Sequence, residues 1–210
     1  MKPRPQRPRP LTPPTDHSIA LHEAAHAVVA VRLGLPLVYT SIRGGGAGDD
    51  AISADAQRTT RPGRKFVSAG HTTLERNILA QWEAALPEQE ARANLEKVSV
   101  ETAAGIVAEI KMGAGLDDEG NRNDLVQLMQ QAATLLVAFN PADPPPAVTQ
   151  WLTARLNDAD ALLHADGGAA WDRATATLLR KKGLSGEEVR TLVGQADVAS
   201  GFNKRLERNP

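Results

Sequence analysis

Apolar and polar residues recur along most of this chain with the spacing of an α-helix, in which residues three and four apart share a face. The first such pattern predicts a helix from His17 to Leu33, with Thr15 or Asp16 as N-cap and Gly34 as terminator. A later helix face is apolar at Leu125, Leu128, Met129, Ala132, Leu135, Leu136 and Phe139. Further helices are predicted over residues 72–86, 87–112, 147–164, 169–182 and 185–195. The pattern therefore predicts a mostly α protein.

Two of the predicted helix starts carry a capping box. The motifs are Thr72-x-x-Glu75 and Ser185-x-x-Glu188. In a capping box, the hydroxyl and the carboxylate each accept a backbone N–H of the other residue, which satisfies two donors of the first turn. Both motifs therefore predict where a helix begins.

One short segment has the composition of a β-strand. Residues 37–42 are rich in β-branched and apolar side chains, and the glycine-rich run that begins at Gly44 ends the segment. The polar, turn-rich stretch from residue 44 to residue 70 is predicted to be a loop. The expected fold is mostly α, with one small β element after the first helix.

Both ends of the chain are predicted to lie outside the folded domain. Residues 1–16 hold six of the fourteen prolines and four basic residues, a composition that cannot form a core and favours a disordered tail. A docking or membrane-surface role for this basic segment is the less favoured interpretation. The predicted organisation is a tail over 1–16, a domain over 17–195 and a C-terminal tail over 196–210.

Composition excludes several classes of protein and site. The chain has no cysteine, which excludes disulfides and thiolate zinc sites, and its formal charge of −1 argues against nucleic-acid binding. No apolar run reaches the roughly 20 residues that a membrane span needs, and no signal peptide is present, so a cytoplasmic location is expected. The sequence also lacks the G-x-x-x-x-G-K-[ST] phosphate loop of ATPases.

The strongest chemical signal is the run His22-Glu23-Ala24-Ala25-His26 inside the first predicted helix. Residues i and i+4 lie on one helix face, so the two imidazoles can bind one Zn²⁺. Glu23 is then placed to act on a metal-bound water. The alternative is that the histidines lie on a solvated face or bond to backbone in the core.

A catalytic zinc site takes three protein ligands, so one ligand remains to be found. The acidic candidates are Asp124, Glu109, Asp117, Asp118 and Glu119. The run 117–119 lacks the alternating ligand spacing of an EF-hand and is better explained as a solvated turn. An aspartate at a helix start, such as Asp124, is ordinarily a cap. The residues alone leave the choice open.

Three segments together resemble the peptidase domain of the FtsH family of zinc metalloproteases. They are the helix around His22 to His26, the Ala-Gly-x-x-Ala-Glu segment at 104–109, and the Gly-x-x-Asn-Asp-Leu segment at 120–125. Ala25 stands where the family usually has glycine. The resemblance covers roughly residues 17–195 and implies a helical zinc-peptidase fold, with the small β element beside the active-site helix.

The resemblance also implies roles for individual residues. It makes Asp124 the third zinc ligand and places Glu109 behind the ligands, where it orients a histidine. Asn123 is expected to support its neighbour Asp124. The segment 37–42 is expected to be an edge strand that pairs with the backbone of the substrate.

The implied function is a zinc-dependent endopeptidase that hydrolyses peptide bonds in unfolded proteins or peptides, with Glu23 activating a zinc-bound water. Because the sequence has no phosphate loop, hydrolysis is expected to be independent of ATP in itself, and neither a membrane anchor nor a motor is expected. A separate ATPase subunit or a homo-oligomer is a possible partner. Two alternatives stay open: a regulatory metallopeptidase specific for one partner protein, and a catalytically silent interaction module of the same fold.

Overall fold

The computed structural model describes residues 15–42, 71–74, 88–113, 119–136 and 140–200. These residues form six helices and a small sheet, so the prediction of a mostly α fold with a small β element is confirmed. The helices are α1 (Asp16–Arg32), α2 (Glu88–Lys111), α3 (Glu119–Leu135), α4 (Pro146–Leu163), α5 (Ala169–Lys181) and α6 (Gly186–Ser200). The strands are β1 (Leu37–Ser41), β2 (His71–Leu74) and β3 (Gly183–Ser185). No helix in these ranges is long and apolar enough to cross a membrane.

Helix α1 lies at the centre of the core. It packs against α2, α4, α5 and α6 and against strands β1 and β2. Residues 23–30 are all buried and include four alanines, whose small side chains allow neighbours to approach from several sides. Of the two predicted N-caps, Thr15 and Asp16, the structure has Thr15. Its side chain accepts the backbone N–H of Ser18 at 3.1 Å. After the helix, Gly34 adopts a φ of +69°, which favours glycine.

The three strands form an antiparallel sheet in the order β2-β1-β3. Strand β1 is therefore the central strand, and the expectation that residues 37–42 form an edge strand is wrong. The edges are β2 and β3, because β1 makes backbone pairs on both sides. Both β1 and β2 contact α1, so the sheet lies beside the helix that carries the two histidines.

The prediction that a helix begins at Thr72 is wrong for its first residues. Residues His71–Leu74 form strand β2, and Thr72 pairs with Thr40 of β1. A capping box is a local signal, whereas β-branched threonines also suit a strand, and here pairing with β1 decides. The rest of that predicted helix, the loop over 44–70 and residues 1–14 of the predicted tail lie outside the described residues. The last two residues of that tail, predicted over 1–16, belong instead to the start of α1, as its N-cap Thr15 and first residue Asp16.

The later helices agree closely with the predicted ones. In α3, Leu128, Ala132 and Leu135 are buried as the apolar pattern requires, whereas Leu136 follows the helix and is 40% exposed. Helix α6 begins with the predicted capping box: the backbone N–H of Ser185 donates to Glu188 at 2.8 Å, and that of Glu188 donates to Ser185 at 3.2 Å. This helix continues to residue 200, five residues beyond the predicted domain boundary.

A buried ion pair fixes the C-terminal end of α1. Arg32 Nη2 lies 3.0 Å from Asp166 Oδ2, and the two side chains are 1% and 0% exposed. Arg32 also donates to the carbonyl of Leu162, at the end of α4. Asp166 accepts the backbone N–H groups of Gly168 at 3.1 Å and Ala170 at 2.8 Å. The pair therefore joins α1 to the turn between α4 and α5.

Candidate metal centre

Two histidines of α1 and one aspartate of α3 converge at one point. Successive turns of α1 bring Nε2 of His22 within 3.1 Å of Nε2 of His26. Oδ2 of Asp124 lies 3.2 Å from each of these nitrogens. All three side chains are mostly buried, with exposed fractions of 14%, 10% and 13%. Among the described residues, His22, His26 and Asp124 form a set of metal-ligating side chains whose ligand atoms lie close enough together to hold one metal ion.

The three ligand-type atoms form a nearly equilateral triangle. Atoms bound at about 2.0 Å to a tetrahedral ion are separated by about 3.3 Å, close to the distances found here. Two imidazole nitrogens and a carboxylate oxygen would not face one another this closely without a proton or a cation between them. The triangle therefore fits a shared divalent ion.

Glycine at position 105 leaves room for the triangle. A Cβ atom on Gly105 would lie 2.4 Å from Nε2 of His26, 2.5 Å from Oδ2 of Asp124 and 2.6 Å from Cε1 of His22. No side chain fits there unless the histidines or the aspartate move. The backbone of α2 thus approaches the site as closely as a helix can and keeps the space between the three atoms open.

Each histidine is also held from behind by a glutamate of α2. Nδ1 of His22 lies 2.9 Å from Oε1 of Glu109. Nδ1 of His26 lies 3.1 Å from Oε1 of Glu101 and 3.0 Å from the backbone carbonyl of the same residue. The Nδ1–H of His26 donates to the Glu101 carbonyl, which leaves Nε2 of that ring free to bind a metal. Nδ1 of His22 lies at ion-pair distance from Glu109 but makes no hydrogen bond of good geometry. In both rings Nε2 faces the site.

Glu101 was missed by sequence reasoning, although the sequence holds a signal for it. It lies within the buried run from Val98 to Ala108, where a charged side chain requires a partner. Glu101 lies four residues before Gly105, and Glu109 lies four residues after Gly105. On a helix this spacing places all three on one face.

The electrostatics of the site favour a cation. Burial by itself lowers the pKa of His22, but the carboxylates of Asp124 and Glu109 outweigh it and raise that pKa to about 9. Burial likewise opposes charge on His26, whose pKa is nevertheless raised by Asp124 and Glu101. Burial raises the pKa of Asp124, yet the two histidines lower it well below its usual range. In the metal-free protein, protons on the histidines therefore balance the buried carboxylates.

Glu23 lies on the same helix and is 7% exposed. Its Oε2 accepts a hydrogen bond from the Thr72 hydroxyl at 2.8 Å, and that hydroxyl lies 2.8 Å from the hydroxyl of Thr40. Burial raises the pKa of Glu23, while the nearby histidines oppose the shift. A carboxylate with a raised pKa is suited to accept and return a proton near neutral pH. The sheet thus orients the carboxylate that the motif singles out.

The remaining candidates are distributed as follows. Asn123 precedes the aspartate of the triangle, but its side chain is exposed, and its supporting role stays a prediction. Residues 117 and 118 lie outside the described residues, and Glu119 is the first residue of α3. Of the histidines not assigned to the site, His17 is exposed, and His164 is the C-cap of α4.

No family model matches this chain, and a search of curated proteins finds no match to it. What the protein does is therefore inferred from its own residues and their geometry.

Proposed function

We propose that this protein is a zinc-dependent endopeptidase that hydrolyses peptide bonds in unfolded proteins or peptides. One observation carries the proposal: His22, His26 and Asp124 form a triangle of ligand atoms 3.1 to 3.2 Å apart, with Glu23 on the same helix as the histidines. Structural zinc sites are usually closed by a fourth protein ligand, whereas catalytic sites have three and keep one position open. The described group contains three.

The donor set suits zinc. Two imidazoles and one carboxylate form a common set for catalytic Zn²⁺, and the absence of cysteine from the chain excludes thiolate ligands. When bound, such an ion supplies a Lewis acid and makes water acidic enough to ionise near pH 7.

Glu23 would carry the proton. Its carboxylate takes a proton from the attacking water, whose oxygen bonds to the carbonyl carbon of the scissile peptide. Glu23 then returns the proton to the amide nitrogen, the C–N bond breaks, and the products are an amine and a carboxylic acid, which loses its remaining proton to give the carboxylate. The Thr72 hydroxyl holds Oε2, which leaves Oε1 as the oxygen for this transfer.

The likeness to FtsH-type peptidases supports the same proposal. Its three motifs occur in the expected order, and the contact of Glu109 with His22 fits the role that the likeness implies. The 210 residues contain no phosphate-binding loop, and the proposed hydrolysis does not itself require ATP. Suitable substrates are peptides, unfolded chains and loose termini, or chains delivered by a separate ATPase.

The test compares the zinc-loaded protein with its Glu23→Gln variant on unfolded, labelled casein without ATP. The wild type is expected to release peptides. The variant should lose about 10²–10⁴-fold in rate, the usual contribution of a general base, and should keep its zinc. Loss of zinc from Glu23→Gln would contradict the role given to this residue. If both proteins bind zinc and neither releases peptides, the result would favour a peptidase specific for one partner protein or a catalytically silent interaction module.

A further inference from the structure

Helix α2 carries two glutamates, one for each histidine. Glu101 and Glu109 are eight residues apart, with Gly105 midway between them. Their carboxylates reach Nδ1 of His26 and of His22 at 3.1 and 2.9 Å. The site therefore has two carboxylate–imidazole pairs, arranged on either side of the glycine that leaves room for the triangle.

The contact of Glu101 with His26 has two parts that act differently. The backbone carbonyl at 3.0 Å is enough to fix the tautomer and the ring orientation. The carboxylate at 3.1 Å adds a negative charge on the far side of the ring, within a buried environment. A neighbouring carboxylate raises the basicity of a ligand imidazole and so strengthens its bond to a metal.

We propose that Glu101 is a positioning residue of the metal centre, and that it acts through His26 as Glu109 acts through His22. The inference rests on the proposed zinc site but concerns a residue that touches neither the substrate nor the ion. Glu101 holds Nε2 of His26 toward the shared space and strengthens it as a donor. Outer carboxylates of this kind typically contribute 10–100-fold to metal affinity.

The experiment measures zinc affinity by competition with a chelator at fixed pH, on the full chain. Glu101→Gln keeps the shape and an acceptor oxygen but removes the charge, and it should weaken Zn²⁺ binding about tenfold. Glu101→Asp keeps the charge and should recover part of that loss. The matched control is Glu90→Gln, an exposed position on the same helix, which should bind zinc as the wild type does.

Two further readouts separate positioning from a merely structural role. The visible absorption spectrum of the Co²⁺-loaded protein reports the ligand field and should change in Glu101→Gln but not in Glu90→Gln. The thermal unfolding of the metal-free protein reports stability. Reduced stability of Glu101→Gln, with wild-type zinc affinity and Co²⁺ spectrum, would overturn the proposal while leaving the zinc site intact. A wild type that binds no zinc would overturn both proposals.

Discussion

Helix α1 carries a buried charged cluster at each of two places, and the two clusters differ in how their charges balance. Near its end, Arg32 meets Asp166, whose carboxylate also accepts two backbone N–H groups. Ten and six residues earlier, His22 and His26 face three carboxylates. Arginine always carries its charge, whereas histidine is charged only when it holds a proton. The first cluster is therefore complete within the protein, and the second is complete only with protons or a metal ion.

A buried charge whose partner is always ionised stabilises the fold, whereas buried carboxylates that face histidines also need protons or a metal ion. Removing the structural pair should lower stability and leave metal binding unchanged, whereas a change in the metal centre should weaken metal binding. Three experiments test whether the two clusters differ in this way.

The largest effect is expected from Gly105→Ala. The new methyl group would lie 2.4 to 2.6 Å from atoms of His22, His26 and Asp124, so these side chains must move and the triangle must open. Because they are side chains, the fold should survive, and stoichiometric zinc binding should be lost. Zinc content after dialysis measures the outcome.

The matched control for this change is Gly194→Ala. Gly194 lies in helix α6, is exposed, and has no heavy atom within 4 Å of its added Cβ. Alanine there should be neutral or should stabilise by about 0.5–1 kcal/mol, with zinc binding unchanged. If Gly105→Ala binds zinc as tightly as this control, the space over Gly105 is not the metal site.

The second experiment removes one partner of the structural pair. Asp166→Ala leaves the buried guanidinium of Arg32 without its carboxylate and should lower the free energy of unfolding by about 3–5 kcal/mol. Measured below the unfolding transition, zinc affinity should be unchanged. The control is Asp158→Ala, which removes an exposed partner of Arg155 and should cost about 0–1 kcal/mol. An equal, small loss in both variants would show that burial does not distinguish the Arg32 pair.

The third and smallest effect concerns pH. The pKa of His22 is about 9 in the folded, metal-free protein and about 6.5 in an unfolded chain. Its proton therefore stabilises the fold fully below pH 6.5, and this contribution is lost as pH rises toward 9. With these two pKa values, the loss should be about 3 kcal/mol. Chemical denaturation of the metal-free protein at several pH values measures it.

Zinc affinity should change in the opposite direction over the same pH range. Zinc displaces the histidine protons, so its binding should release protons and become tighter as pH rises from 6.5 to 9. In His22→Gln, the loss of metal-free stability over this range should be smaller. A zinc affinity that does not depend on pH would show that the histidines are not the ligands.

The residues close in sequence were predictable, and those brought together by packing were not. The cap at Thr15, the helix of the two histidines and the capping box at Ser185 follow from local hydrogen bonding and periodicity. Asp124, 98 residues from His26, came from a resemblance and not from periodicity, and the structure places it against both histidines.

The features that could not be predicted from the sequence depend on contacts between elements that are distant along the chain. Strand β2 forms because β1 lies beside it, although its own residues resemble a helix start. The spacing of Glu101 from Gly105 and Glu109 is visible in the sequence, but its contact with His26 depends on how α2 packs against α1. The Arg32–Asp166 pair joins residues 134 positions apart, for which neither helical periodicity nor a short motif gives a signal.

One consequence concerns helix α3. Its main packing partners are α2 and, less extensively, α4, so the contact of Asp124 with the two histidines is its principal link to α1 among the described elements. An ion held by all three side chains would cross-link α3 to the core. Local opening of α3 would then require release of the metal. Backbone amides of α3 should exchange with deuterium more slowly when zinc is bound, even in Glu23→Gln.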